Sequence, residues 1–308
     1  MSLLRAFSHS GLMILVTALL AGCSPAPRTE VTVQFAPQIA GDSFACQGEY
    51  DGMGSGPTGR YRATDFRWFV SDLVLQDTDG RRTQVQLQDA DDGLIYQDAS
   101  HSVALLGQID GCSQFDRVEH LQLQGVASGH QFTEACFTLG VPYALNHLDA
   151  TADDTPSPLN IPAMNWFWRG GHKFMKIDGF GEIDAEGHGT AFNFHLGSTR
   201  CHNADGVDGS GPGANRPPDA PCEQPNLAEY CFPLAELQAG RVITVDPARI
   251  AATTDLGFNT PGTPPGCVGF RNDPECAAIL PRIGLPYEIN GRTVPAETGV
   301  LFQLAAPQ

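Results

Sequence analysis

The chain has 308 residues, with 35 Asp plus Glu against 18 Lys plus Arg and a formal charge of −17 at pH 7. An acidic excess of that size repels nucleic acid and anionic lipid faces, which argues against DNA, RNA or an electrostatic membrane surface as a partner. The length is enough for one large β domain or two small ones.

Residues 1–22 read as a signal peptide outside the fold. Arg5 gives a basic start, residues 11–20 an apolar core, and Leu20-Ala21-Gly22-Cys23 a small-residue cleavage site ending in cysteine. The pattern is similar to a bacterial lipoprotein signal. It implies cleavage before Cys23, acyl chains on that thiol, and a mature chain held at a membrane only through the lipid anchor. The apolar core is too short to span a bilayer, and no later run reaches the necessary length. Ser24 after the cysteine is compatible with the outer membrane, so the expected location is the periplasmic side, lipid-anchored. Without Arg5 the balance is 17 minus 35, or −18. Residues 23–29 form a linker and residues 30–308 a single domain.

Residues 30–35 (EVTVQF) alternate apolar and polar side chains, which predicts a strand. Residues 42–59, with Cys46 and a glycine-rich run, read as a loop. Residues 64–77 (TDFRWFVSDLVLQD) carry the strongest strand pattern of the first half, and Asp79-Gly80 turns it into a hairpin with residues 83–87. After a loop containing His101 and Cys112, residues 118–123 and 131–139 are two further strands. The polar, proline-rich residues 146–160 predict an unpacked loop. It leads into MNWFWRGGHKF, residues 164–174, which holds Trp166 and Trp168, two of the three tryptophans. In an extended strand these two share a face, with His172 on the same side unless Gly170-Gly171 inserts a bulge. Residues 174–177 and 190–196 read as paired strands, residues 202–221 as a long stapled loop, and residues 230–234 and 241–245 as short strands. Asp246-Pro247 starts a short helix through Ala252, residues 277–283 give a helical turn or two, and residues 299–304 close the chain as a strand. About ten short strands separated by turns predict an all-β, Greek-key or jelly-roll-like sandwich with long disulfide-stapled loops and one or two short helices.

Apart from Cys23 there are eight cysteines: Cys46, Cys112, Cys136, Cys201, Cys222, Cys231, Cys267 and Cys276. An even number in an exported chain reads as four disulfides, with roughly a hundred pairings open from the count alone. Loop closure favours Cys201 with Cys222 and Cys267 with Cys276. Cys136 and Cys231 fall in strand-like segments and would join them, which leaves Cys46 with Cys112. No CxxC or CxxCH occurs, which speaks against a thiolate zinc site and covalent haem.

HExxH is absent, and Gly52 to Gly56 (GMGSG) lacks the nucleophile-elbow pattern. Asp205 to Gly209 (DGVDG) has the flavour of a calcium loop but misses the EF-hand pattern at Val207. The histidines flanking the tryptophans remain: His147 at the mouth of the loop before Trp166, and His195 in the strand after it. Two imidazoles with few other ligands suit a late first-row metal, copper before calcium or magnesium. Protonation near the unperturbed imidazole pKa of about 6.5 should then compete with the metal. A different reading makes Trp166 and Trp168 a stacking platform for sugar in a carbohydrate-binding or adhesive lipoprotein.

The chain resembles the MbnP family. The residues that carry the likeness are Phe44-Ala45-Cys46 with Tyr50, Thr64-Asp65-Phe66-Arg67, Val70-Ser71-Asp72, Gly140-Val141-Pro142 with Asn146-His147, Met164 with Trp166 and Trp168, Lys173-Phe174, His195-Leu196-Gly197-Ser198-Thr199 with Cys201, Cys222 with Pro225-Asn226, and Pro265-Gly266-Cys267. The resemblance implies a periplasmic copper-binding protein that is not an enzyme. It would be the substrate of a di-haem, cytochrome c peroxidase-like partner that oxidises a tryptophan to kynurenine. Carried over, the modified residue is Trp166 or Trp168 and the copper ligands are His147 and His195. The family is expected to carry an aromatic where this chain has His172, which makes His172 a third candidate ligand.

Overall fold

The computed structural model describes residues 27–88, 92–108, 112, 118–207, 213–270 and 272–306, so the signal and Cys23 lie outside the described residues. Two sheets face each other across an aromatic core. The smaller runs Phe302–Leu304, Ile243–Val245, Arg28–Ile39, Gln122–Ser128, Gln86–Leu87. The larger runs Ala228–Pro233, Phe132–Leu139, Tyr61–Asp77, Met175–Gly181, Asn193–Leu196, Gly266–Cys267. This is the all-β sandwich that the strand pattern predicts.

Tyr61–Asp77 organises the larger sheet because neighbours flank it on both edges. At Phe69 one edge changes partner: the Phe69 N–H donates to Phe174 O at 2.8 Å, and its carbonyl accepts from Gly140 N at 2.9 Å. Met175–Gly181 pairs before that point and Phe132–Leu139 after it. Successive side chains of a strand point to opposite faces. Trp68, fully buried, points into the sandwich against Phe35 and Phe302 of the other sheet, at ring distances of 6.0 and 6.3 Å. Phe69 points the other way, edge-on to His172 at 5.7 Å. Asp65 and Arg67 share the Phe69 side, so the strand builds the core with one face and a polar site with the other. The third tryptophan is thus core, worth about 3–5 kcal/mol against alanine.

The disulfides are Cys46–Cys112, Cys136–Cys231, Cys201–Cys222 and Cys267–Cys276. Cys136 and Cys231 sit directly opposite in the register of two paired strands, and Cys201–Cys222 closes the long loop. On the chain-entropy account each contributes about 2–4 kcal/mol.

The structure corrects several local expectations. Residues 95–97 and 102–108, read as loop, are the strands Ile95–Gln97 and Ser102–Gln108. Ser102 through Gly107 are buried, so the run shows no alternation for a pattern search to detect. Four short helices form among the described residues, at Tyr143–Asn146, Leu234–Gln238, Pro247–Ala251 and Cys276–Ile283. Asp246 caps the third by accepting from Ala248 N at 2.9 Å. The 146–160 loop packs after all: Leu159 is fully buried, and Ala150 and Thr155 are nearly so. The weak calcium pattern carries nothing further, since residues 208 and 209 lie outside the described residues and Asp205 is ion-paired with Arg216.

Candidate metal centre

The tryptophan stretch folds as a tight hairpin, Asn165–Phe167 against Gly171–His172, with a register shift. The strand ends at Phe167, so Trp168 sits in the turn and the two indoles have different surroundings. The Trp166 ring stacks on Phe270 at 5.7 Å and lies 6.5 Å from the His195 ring. The Trp168 carbonyl accepts from His147 Nδ1 at 2.8 Å. Both tryptophans are half-buried and help line a cleft of about 210 Å³ between residues 149–151 and 162–168. A larger groove of about 720 Å³ passes Gln34, His120 and Gln122, but none of the candidate residues lines it.

His147 is buried. With Nδ1 donating to Trp168 O, its lone pair is on Nε2, which faces the Asn146 Nδ2 amide at 3.2 Å and Cys222 Sγ at 3.6 Å. Cys201 and Cys222 stand close enough to His147 to suggest a thiolate site, but the two sulfurs are bonded to each other. Burial pushes the His147 pKa down to about 4 against the pull of the Trp168 carbonyl, with His172 adding to the drop.

His195 lies opposite Lys176 in the sheet, and its Nε2 meets Asp178 Oδ1 at 2.5 Å. Burial drives its pKa down against the pull of Asp178. Burial alone would raise the Asp178 pKa, but the His195 hydrogen bond and the Lys176 ammonium outweigh it and hold the carboxyl well below its usual range. The pair is therefore a neutral imidazole donating from Nε2 to a carboxylate.

His172 lies close enough to His147 to depress its pKa, but its ring is held differently. It is fully buried, its Nδ1 lies 2.7 Å from Asn146 O and its Nε2 2.9 Å from Leu159 O. Both ring nitrogens are turned onto carbonyls inside the core, so neither is open to a metal in this arrangement, and His172 acts instead as a clamp on the 146–160 loop. The shared face expected for Trp166, Trp168 and His172 is lost to the turn at Gly170-Gly171, where Gly171 has φ +79°.

Sequence reasoning missed Asp178 and Phe270, and it named Asn146 and Gly197 only as part of the family likeness, without a role. Asn146 ties the parts together: its Oδ1 accepts from His172 N at 2.8 Å, and its Nδ2 donates to Ser198 Oγ at 3.1 Å. Ser198 is three residues past His195, so this amide ties the residue before His147 to the segment after His195, while the two imidazoles make no hydrogen bond to each other among the described residues. Gly197 leaves room for the indole: a Cβ there would stand 2.5 Å from Trp166 Cζ3 and 2.8 Å from His172 O. Gly197→Ala is expected to displace the Trp166 ring and cost about 1–3 kcal/mol as overpacking. A shift in tryptophan emission with a lower denaturation midpoint would bear this out, and unchanged emission would count against the packing described.

The sandwich thus seats a half-buried indole beside the buried His195 imidazole. The chain belongs to the MbnP family, whose profile matches residues 28–267. Among solved structures it is similar to MbnP from Methylosinus trichosporium, with a TM-score of 0.71 and 22% identity over 91% of this chain and 100% of that one, a likeness of fold. No curated protein matches the chain.

Proposed function

We propose that this protein is a lipid-anchored periplasmic copper-binding protein in which His147 and His195 are ligands. A di-haem partner enzyme completes the site by oxidising Trp166 to kynurenine. The observation that carries the reading is the Trp166 indole lying 6.5 Å from the His195 ring, which favours Trp166 over Trp168 as the modified residue. The donor chemistry fits. Both imidazoles are neutral near pH 7 and each donates one N–H to an oxygen acceptor; the lone pair of His195 is then on Nδ1, and that of His147 is on Nε2, where a metal would displace the Asn146 amide. Borderline nitrogen donors suit copper better than calcium or magnesium. Kynurenine would add a carbonyl and an aryl amine where indole offers only an N–H donor.

The sugar-platform reading is less favoured because Phe270 already covers one face of Trp166. Peptide mass mapping after co-expression with the partner decides between the two. The copper reading expects the Trp166 peptide at the kynurenine mass and Trp168 unchanged. Both tryptophans intact would reject it.

The depressed His147 pKa moves the expected pH response. In the unfolded chain this imidazole titrates near 6.5, in the folded one near 4. Between those values the unfolded state binds the extra proton, so its contribution to stability is full above pH 6.5 and falls as pH drops towards 4. The metal-free protein should lose about 2 kcal/mol from this group between pH 6.5 and 5. Urea unfolding of wild type and His147→Gln checks it: the variant should show a shallower decline, and parallel curves would refute the assignment. Proton competition for copper at His147 accordingly falls near pH 4, below the sequence-based expectation of 6.5.

A further inference from the structure

Five side chains on the outer face of three neighbouring strands form one chain of contacts. In register, Lys176 lies opposite both Arg67 and His195, and Asp178 lies opposite Asp65. Asp65 accepts from Arg67 Nε at 2.8 Å and from Nη2 at 2.5 Å. Lys176 bridges Asp65 and Asp178, reaching Asp178 Oδ2 at 2.6 Å, and Asp178 Oδ1 takes His195 Nε2 at 2.5 Å. Side-chain exposure falls from 25% at Asp178 to 12% at Lys176, 9% at Asp65 and 2% at Arg67, so solvent competes weakly for these contacts. Charges alternate along the run: guanidinium, carboxylate, ammonium, carboxylate, then imidazole.

We infer that Asp178, oriented by Lys176, is a positioning residue that sets which nitrogen of His195 is open to a metal. The inference rests on the copper reading of His195. An ionised carboxylate only accepts hydrogen bonds. One of its oxygens is held by Lys176 and the other meets Nε2, so Nε2 must carry the proton and Nδ1 the lone pair. Among the described residues Nδ1 has no hydrogen-bond partner. A carboxylate on the far nitrogen of a metal-binding histidine fixes the tautomer and ring orientation and raises basicity, and losing it typically costs about 10–100-fold in metal affinity.

The Lys176 contact makes the consequence of Asp178→Asn specific. An amide has one acceptor and one donor end, and the ammonium will take the acceptor. The NH₂ end then faces His195 Nε2, which can bond it only as an acceptor, and the imidazole proton moves to Nδ1. A substitution of equal size thus reverses the tautomer.

The test has two arms. Imidazole ¹⁵N NMR of the metal-free mature protein should show the Nε2–H tautomer for His195 in wild type and the Nδ1–H tautomer in Asp178→Asn. Copper(II) titrated against a chromophoric chelator should bind the variant about 10–100-fold more weakly than wild type. Nδ1–H in wild type would overturn the inference without any variant, as would an unchanged tautomer in a folded Asp178→Asn chain. If the variant does not fold, Asp178→Ala serves in its place: with no carboxylate on Nε2, mixed tautomers are expected, and pure Nε2–H would overturn the inference. Loss of the copper reading itself has another signature: His195→Ala would keep copper whatever the tautomer of His195.

Discussion

Replacing Asp65 with alanine is expected to destabilise the protein by about 3–5 kcal/mol, the typical cost of removing one partner from a buried ion pair. Asp65 accepts from both Arg67 and Lys176, and the side-chain exposures of the three are 9%, 2% and 12%. Without the carboxylate, two cations lose a shared partner where water reaches them poorly, and the Lys176 contact that orients Asp178 loosens as well. Guanidinium unfolding measures the loss directly. A cost below about 1 kcal/mol would mean that these charges behave as surface pairs do.

The second large effect is on metal binding. His147→Ala and His195→Ala should each weaken copper by more than about 100-fold, or about 2.7 kcal/mol. Both side chains are more buried than a surface-cleft ligand would be, so each variant should also lose about 1–3 kcal/mol of stability through a lost hydrogen bond and a gap. Folding must therefore be verified by circular dichroism before copper is counted. His172→Tyr, which restores the kind of aromatic expected of the family, should keep copper, because His172 points both ring nitrogens at carbonyls. Copper lost only from the His172 variant would reverse the assignment.

The sequence made the sandwich legible where one face of a strand meets the core and the other meets polar groups. Arg28–Ile39 and Tyr61–Asp77 announce themselves in this way, and the local staples follow from the glycine- and proline-rich loops that they close. Ser102–Gln108 was hidden because both of its faces are covered. The Tyr287–Ile289 and Arg292–Val294 hairpin carries a readable signal in Asn290-Gly291, whose φ values of +49° and +73° match the turn that Asn-Gly favours. At the site, His147 and His195 stood out as histidines near tryptophan. Their different partners did not, because hydrogen bonds such as Asn146 to Ser198 span 52 residues and arise from loop packing that no local pattern encodes. Asp178 was the most recoverable: it shares a strand face with Lys176, and that strand pairs with the one carrying His195.

The most direct measurement is anomalous diffraction at the copper edge from crystals of the chain co-expressed with the di-haem enzyme proposed as its partner. The account predicts a copper peak about 2 Å from both His147 Nε2 and His195 Nδ1, beside an oxidised Trp166 ring. A fully loaded protein whose peak lies elsewhere, with both imidazoles still in their hydrogen-bonded positions and the indole intact, would contradict it.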